Sequence, residues 1–175
     1  KNNIPKEWIQ YIKHSIAGIA PHFTTKRMLD DYINKFYLKL HARSVKLNKN
    51  NCKLAIEIAN WKNKIRNKWD KIEVVSIDFP NTMKTNFKMG EIYHGEVALD
   101  IKEFSDSDVG VELVFSTQHG HKIIDVKELS LSKRVDTLAF YEIDFELSRP
   151  GTYDYGLRIF PKHKELPHRQ DFAYL

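Results

Sequence analysis

The sequence has a single cysteine, Cys52, among 175 residues, so no disulfide can form within the chain. This usage favours a reducing compartment and excludes a small secreted scaffold that is held together by cystines. No apolar run approaches the roughly 20 residues that cross a bilayer, and the N-terminus lacks the zones of a signal peptide. We therefore expect a cytoplasmic protein without a membrane partner.

Glycine is also sparse, and its seven residues are dispersed along the chain. None of them forms the Gly-x-Gly-x-x-Gly or Gly-x-x-x-x-Gly-Lys spacing, so the sequence offers no phosphate-binding loop. With 42% hydrophobic and 29% charged residues, the composition is that of a folded globular chain. Because the first residue is Lys1 and not methionine, we expect a piece of a longer polypeptide.

Charge and residue type both change near residue 70. Residues 1–70 hold 15 Lys and Arg against 5 Asp and Glu, a net charge of +10, whereas residues 71–175 hold 13 against 18, a net charge of −5. The first part is rich in Lys, Asn and Ile at helical spacing, and the second in Val, Phe and Thr. We predict a helical segment over residues 1–70 and a β-rich domain over residues 71–175.

Apolar residues in the first 45 positions recur at helical spacing and predict two helices. The first starts near Pro5 and ends at Pro21, since proline cannot donate to the helical ladder. Its apolar stripe consists of Trp8, Ile9, Ile12, Ile16, Ile19 and Ala20. Thr24 or Thr25 can cap the second helix. The stripe of that helix consists of Met28, Leu29, Tyr32, Ile33, Phe36, Tyr37 and Leu40.

A polar break at residues 47–51 precedes a third predicted helix. The apolar stripe of this helix consists of Leu54, Ile58, Trp61, Ile65 and Trp69. Lysine and arginine residues lie between these positions, so the helix could follow a nucleic-acid backbone. The two tryptophans fall on the apolar stripe, however, and we interpret them as packing residues and the lysines as a solvated face. Nucleic acid is therefore a disfavoured partner.

The second part of the chain predicts about seven short strands separated by turn signals. They lie at residues 71–79, 91–93, 97–101, 109–115, 122–126, 137–147 and 153–160. A tight corner at residues 149–153 leads into the last of them. So many short strands over about 100 residues indicate an antiparallel Ig-like β-sandwich. The predicted fold class is α+β, with about three N-terminal helices followed by this sandwich.

Metal and thiol chemistry have weak support. His119 and His121 could ligate one metal ion together with Asp125 or Asp136, but zinc needs three or four ligands, and a polar hairpin loop is the better interpretation. Cys52 lies at a predicted helix start, where a thiol pKa can fall. No partner base is apparent for it, so we interpret this cysteine as incidental.

Acid–base chemistry is equally unsupported. His163, His168 and Asp171 could be combined with a serine into a triad, but no Gly-x-Ser-x-Gly turn accompanies them. Asp106 and Asp108 lie in an acidic loop, and two acids at this spacing more often solvate a turn than cleave a glycoside. We assign no catalytic, cofactor-binding or metal-binding residue.

Motifs at both ends of the chain resemble one enzyme family. The N-terminal motifs are Glu7-Trp8, Ile16-Ala17, Phe-Thr-Thr-Lys-Arg-Met at residues 23–28, Tyr32 and Phe36-Tyr37, and the C-terminal ones lie at residues 158–163 and 166–172. Their order and spacing resemble the end of the glycogen/α-glucan phosphorylases, and the tail resembles the bacterial and archaeal branch. Lys26 departs from the animal-type enzymes, which usually carry an acid there.

This resemblance implies a parent enzyme that cleaves α-1,4-glucan with inorganic phosphate, releases glucose 1-phosphate and uses pyridoxal phosphate. In the family, the cofactor lysine lies in a Gly- and Thr-rich stretch before an Asn/Gly-Met-Lys. The only Met-Lys pair here, Met83-Lys84, lacks those glycines. The resemblance therefore implies a non-catalytic C-terminal portion with a docking or stabilising role, and leaves open whether the segment alone is an enzyme.

Two partners and one alternative function follow. We expect the helices over residues 8–40 to dock on the remainder of the parent polypeptide, and in the isolated chain to fold onto its own strands or to self-associate. The alternative is a carbohydrate-binding accessory β-sandwich, in which an exposed coplanar pair of aromatic rings stacks on α-glucan. The candidate rings are Tyr93, Tyr141, Tyr153, Tyr155 and Phe160, although aromatics in strands are more often core residues.

Overall fold

The structure is a computed structural model that describes residues 5–80, 87–117, 122–147 and 150–174. Its first helix, α1 (Lys6–Gly18), begins directly after Pro5, as the sequence predicts. A 3-10 turn (Ala20–Phe23) follows and contains Pro21 near its start. The α-helix therefore ends three residues before Pro21, a residue that cannot donate a backbone hydrogen bond to continue it.

Helix α2 (Thr25–Tyr32) begins at one of the two predicted caps. The Thr24 hydroxyl accepts a hydrogen bond from the backbone N–H of Arg27 at 3.2 Å, which satisfies one of the N–H groups that a helix start leaves unpaired. A π-helical turn (Ile33–Tyr37) then carries the chain without a break into α3 (Leu38–Lys68).

The predicted polar break lies inside α3. Residues 49–52 leave the helical conformation, and three of them, Asn50, Asn51 and Cys52, have positive φ. Asparagine enters the left-handed region more easily than most other residues, so the break falls on the asparagine pair. The number of helices in this run depends on whether the π turn and the kink are counted as breaks.

The chain separates into two compact units, residues 1–59 and residues 60–175. The first contains α1, α2 and most of α3, and its apolar side chains are largely exposed. The second contains the last turns of α3, all the described strands and the C-terminal tail (residues 162–174). The boundary near residue 70, which rests on composition and charge, stays a prediction.

The described residues of the second unit form seven strands in two antiparallel sheets. The strands are β1 (Glu73–Asp78), β2 (Ile92–Asp100), β3 (Val109–Thr117), β4 (Ile123–Glu128), β5 (Ser130–Val135), β6 (Leu138–Glu146) and β7 (Tyr153–Pro161). One sheet has the order β1-β2-β6-β5 and the other the order β4-β3-β7. The structure therefore confirms helices followed by antiparallel β-structure, an α+β arrangement.

The core of the second unit combines side chains of both sheets with the end of α3. Its strand members recur every second residue, as in strands that bury one face. They include Val97 and Leu99 of β2, Val111 and Leu113 of β3, and Ala139, Tyr141, Ile143 and Phe145 of β6. The structure shows the strand order and this shared core, whereas the Ig-like assignment stays a prediction.

Two strand predictions were wrong. Residues 91–93 and 97–101 were predicted as separate strands, but they belong to the single strand β2, which pairs with β6 from Ile92 to Asp100. Strand β5 was missed. It forms one edge of its sheet and is exposed at all six positions, so its sequence, Ser-Leu-Ser-Lys-Arg-Val, has no apolar alternation by which it could be predicted.

The Phe79 ring packs directly on the backbone of Gly95, in the middle of β2, and leaves no room for a side chain there. A Cβ atom at Gly95 would lie 2.3 Å from that ring, whereas a Cβ at Gly156, in β7, would meet nothing within 4 Å. Both glycines are interior strand residues, so they form a matched pair that differs mainly in this contact.

We expect Gly95→Ala to lower the free energy of unfolding by about 1–3 kcal/mol, because the Phe79 ring must be displaced from the core. Gly156→Ala should be neutral or raise it by about 0.5–1 kcal/mol, since alanine loses less backbone entropy than glycine on folding. Urea denaturation of the two variants measures both values. Equal effects of the two substitutions would show that the ring does not pack on the Gly95 backbone.

Candidate functional site

The last turns of α3 belong to the core of the second unit. Trp61, Ile65 and Trp69, which share the predicted apolar stripe, are all buried. The Trp61 ring lies 4.8 Å from the His163 ring and the Trp69 ring lies 6.0 Å from the Phe104 ring, measured between centroids. The structure therefore confirms that the two tryptophans of this helix are packing residues.

A buried carboxylate connects this helix to the loop between β2 and β3. The Trp61 indole N–H donates to Asp108 Oδ1 at 2.9 Å, and the Ser105 backbone N–H donates to Asp108 Oδ2 at 3.0 Å. Lys64 Nζ lies 3.2 Å from the same Oδ2 atom and also donates to the Glu103 carbonyl at 3.0 Å. The Asp108 carboxylate thus accepts hydrogen bonds both from α3 and from its own loop.

The interactions of Asp108 act in opposite directions on its pKa. Burial raises the pKa, but hydrogen bonds from Ser105 and Lys64 and the charge of Lys64 lower it by more, so that the net pKa lies below its usual value. The carboxylate is therefore ionised at neutral pH. Its neighbour Asp106 instead forms an ion pair with Arg134 at 2.6 Å in a solvent-exposed part of the loop.

The two acids of this loop were predicted only to solvate a turn, which is wrong for Asp108. The predicted solvated lysine face is found in part, because Lys64 and Lys68 are 34% and 37% exposed but also pair with Asp108 and Glu103. Lys53 fits that prediction, since it is exposed and pairs only along the helix with Glu57.

A second buried carboxylate lies in the three-stranded sheet β4-β3-β7, on the face that points away from the shared core. Glu112 of β3 is 0% exposed and forms ion pairs with Arg158, on the neighbouring strand β7, and with Arg169 of the C-terminal tail. The distance from Arg169 Nη1 to Glu112 Oε2 is 2.5 Å. We call these three residues the Glu112 cluster. They attach the tail to the sheet.

The Glu112 cluster was not predicted, although the sequence contains a signal for it. Glu112 is the one charged residue in the apolar run at residues 109–115. A charge at a position flanked by buried residues requires a partner of opposite sign, because desolvation of an unpaired carboxylate is costly. The identity of those partners depends on the pairing of β3 with β7, and no strand order could be predicted.

Most of the exposed large apolar side chains among the described residues lie in the helical unit. No residue of α1 is buried, and Trp8 is 63% exposed. Phe23 in the following turn is 78% exposed, and Phe36 in the π turn is 52% exposed. Further exposed members of this surface are Ile12, Ile16, Ile19, Leu29, Ile33 and Leu40. These residues belong to the apolar stripes that the sequence predicts, and they are exposed.

The suggested metal and triad residues that the structure describes serve local interactions. His119 and His121 lie outside the described residues. Among the residues that are described, no three His, Cys, Asp or Glu side chains are grouped so that they could hold a metal ion. The Nδ1 atoms of His163 and His168 each accept a hydrogen bond from a backbone N–H two residues later, so both rings serve local turns.

The remaining polar candidates also have local roles. The Asp125 carboxylate accepts from the adjacent backbone N–H and lies 3.7 Å from Lys127 Nζ. Asp136 has positive φ in the turn before β6, and its carbonyl accepts from Arg134. Cys52 lies at the kink of α3, with its sulfur 3.7 Å from Asn48 Oδ1.

The five aromatic residues suggested for glycan stacking are all at least partly buried. The hydroxyls of Tyr153 and Tyr155 donate to backbone carbonyls at 2.8 and 3.3 Å, and the Tyr93 hydroxyl bonds to Lys88 and Glu91. Burial raises the pKa of Tyr141 to about 12. Phe160 is buried beneath the Arg169 guanidinium. An exposed coplanar pair is therefore absent from these five residues.

Comparison with known proteins identifies the family. The family model described as the glycogen phosphorylase C-terminal domain matches residues 69–175. The chain belongs to this family. The match covers β1 to β7 and the tail, and so includes the Glu112 cluster and Asp108.

Individual phosphorylases resemble the chain over nearly its whole length. Maltodextrin phosphorylase of Thermococcus litoralis is 34% identical over 170 residues, which cover 93% of this chain and 19% of that protein. Glycogen phosphorylase of Mycobacterium tuberculosis is 21% identical over 171 residues, covering 95% of this chain and 20% of that protein. The chain thus spans about a fifth of the length of these relatives.

A shorter match is more similar still. Glycogen phosphorylase of Aquifex aeolicus is 48% identical over 40 residues, which cover 23% of this chain and 6% of that protein. No solved structure matches the chain. Within the described ranges, no helix has both the length and the apolar content of a membrane span.

We expect Asp108→Asn to lower the free energy of unfolding at pH 7 by about 2–3 kcal/mol, because it removes the charge that Lys64 and the Trp61 indole share. Asp106→Asn, two residues away, breaks an exposed pair and should cost less than about 1 kcal/mol. Denaturant unfolding of both variants measures the contrast.

The cost of Asp108→Asn should also depend on pH. Since the folded pKa of Asp108 is lowered, its stabilisation is present above the unfolded value, about 3.9, and is lost as pH falls through the folded pKa. The stability difference between wild type and Asp108→Asn should therefore shrink in acid. A difference that stays constant from pH 7 to about pH 2 would contradict an ionised Asp108.

Proposed function

We propose that the chain is the non-catalytic C-terminal part of an α-glucan phosphorylase, and that its helical unit docks on the remainder of that polypeptide. The observation that carries this proposal is the exposed apolar surface of residues 8–40, on which Trp8, Phe23 and Phe36 are all more than half exposed. Membership in the phosphorylase family supplies the identity of the parent.

The size of the exposed surface supports a docking role. Full burial of a large apolar side chain stabilises a structure by about 1.5–3 kcal/mol, and contiguous exposed patches usually mark interaction sites. This surface extends along α1, the turn at residues 20–23, α2 and the π turn, so several such side chains could be covered together. Their partner must present a surface of matching apolar character.

The remainder of the polypeptide is the occupant that we favour. The chain spans about a fifth of the length of the phosphorylases that it matches, and the apolar surface belongs to the N-terminal end of the chain. A preceding segment would be covalently attached there, so its effective concentration would exceed that of any separate partner.

The parent's chemistry belongs to the same proposal. We infer that the parent cleaves α-1,4-glucan with inorganic phosphate in the cytoplasm, with pyridoxal phosphate bound outside the present chain. The pairing in both sheets is antiparallel, and the sheets share one core, which supports an Ig-like β-sandwich as the fold of the second unit. Its role in the parent would be to stabilise the enzyme through the docked helices.

In the isolated chain, we expect the uncovered surface of residues 8–40 to cause reversible self-association, measured by sedimentation over a range of concentrations. Trp8→Ser and Phe36→Ser should each weaken this association about tenfold or more, since each removes a large apolar contact. Lys13→Ser and Lys39→Ser are matched controls at exposed polar positions of the same helical run and should change it little.

A chain that stays a sharply monodisperse monomer at high concentration would contradict this prediction. Association that the lysine variants weaken as much as the aromatic variants do would also contradict it, because the attraction would then be electrostatic. Circular dichroism of each variant checks that the helices are retained.

A further inference from the structure

The C-terminal end of the second unit concentrates positive charge in an otherwise acidic part of the chain. Residues 71–175 have a net charge of −5, yet residues 158–169 contain four Lys and Arg and only one acid. Two of these cations, Arg158 and Arg169, pair with Glu112, and Lys162 pairs with Glu128 at 2.5 Å. Three cations therefore surround two carboxylates, which leaves a net charge of +1.

The excess charge lies within the Glu112 cluster. A single arginine can neutralise one carboxylate and bind both of its oxygens as a fork. Here Arg158 binds Oε1 and Arg169 binds Oε2, so two guanidinium groups share one buried negative charge. A second guanidinium is more than the neutralisation of one carboxylate requires.

Aromatic packing holds Arg169 in place. The Phe160 ring lies directly on the backbone of Gly110, where a Cβ atom would be 2.3 Å from the ring. The Arg169 guanidinium lies over the Phe160 ring, 3.8 Å from the ring centroid. Stacking of this kind uses the face of the guanidinium and leaves N–H groups at its edge.

Both arginines border a pocket of about 270 Å³ between β7 and the tail. Their side chains are 30% and 41% exposed, so the guanidinium groups reach solvent there. Gln170 provides a further polar group, and Phe172 and Tyr174, whose rings stack 4.9 Å apart, provide an apolar wall. This volume is near the lower end of the range for small-molecule sites, roughly 300–1,000 Å³.

We propose that this pocket binds a small organic phosphate, with its phosphate group on Arg158 and Arg169 and its organic part against Tyr174. Each guanidinium already directs N–H groups at Glu112, so a ligand must contact two guanidinium groups from the remaining directions. A tetrahedral phosphate monoester, with three terminal oxygens, can do this more easily than a planar carboxylate with two. The pocket's apolar wall favours an ester over the inorganic ion.

Isothermal titration calorimetry of the full 175-residue chain tests the site with inorganic phosphate, phenyl phosphate and benzoate. We expect phenyl phosphate to bind more tightly than inorganic phosphate and benzoate to bind most weakly. Arg169→Gln should weaken phenyl phosphate binding about tenfold or more, as expected for loss of a charge-assisted hydrogen bond. Lys162→Gln, an equal charge change on the same sheet face but outside the pocket, should alter it less than about twofold.

Two further variants keep the proposal testable if Arg169→Gln unfolds the tail. Arg169→Lys retains the charge beside Glu112 but not the guanidinium edge, and should still weaken phosphate binding. Tyr174→Ala should reduce the preference for phenyl phosphate over inorganic phosphate. Absence of phosphate binding by wild type up to about 10 mM would overturn the proposal, as would equal losses in Arg169→Gln and Lys162→Gln, which would indicate nonspecific attraction by the basic tail.

Discussion

An apolar stripe on a helix needs a second apolar surface to cover it, and this requirement divides the molecule in two. The helical run extends from α1 to the end of α3, and apolar residues recur along all of it. Beyond Ile58 the stripe is buried, with Trp61, Ile65 and Trp69 in the core of the second unit. Over residues 8–40 the same kind of stripe is exposed. Covering that part is the role that we propose for the remainder of the polypeptide.

Within the second unit, two buried carboxylates hold elements that apolar packing alone would leave less well defined. Asp108 fixes the end of α3 to the loop between β2 and β3, and Glu112 fixes the C-terminal tail to the outer face of a sheet. Each is surrounded by donors from two directions, as buried charges require. Both lie within the part of the chain that the phosphorylase C-terminal family shares.

Much of this architecture could be predicted because local signals determine it. Proline and threonine positions predicted the ends of α1 and α2, an asparagine pair marked the kink in α3, and the tryptophan spacing predicted which face is buried. Strand β5 could not be predicted, since an exposed edge strand has no buried face to impose a pattern on its sequence.

The electrostatic sites were harder to predict for a different reason. Asp108 and Asp106 are two residues apart in one polar loop, and only the packing of α3 makes one a buried acceptor and the other an exposed ion pair. Glu112, Arg158 and Arg169 are far apart in sequence and meet through strand pairing. The family resemblance could be recognised at both ends of the chain, because its motifs are local.

Amide hydrogen exchange over residues 6–40 tests the central claim most directly, if it is measured in the isolated chain and in the full-length protein. We expect these amides to exchange much more slowly in the full-length protein, because docking suppresses local opening of the helices. The core amides of β2 should exchange at similar rates in both. Equal exchange over residues 6–40 in the two proteins would contradict the claim that these helices dock on the rest of the polypeptide.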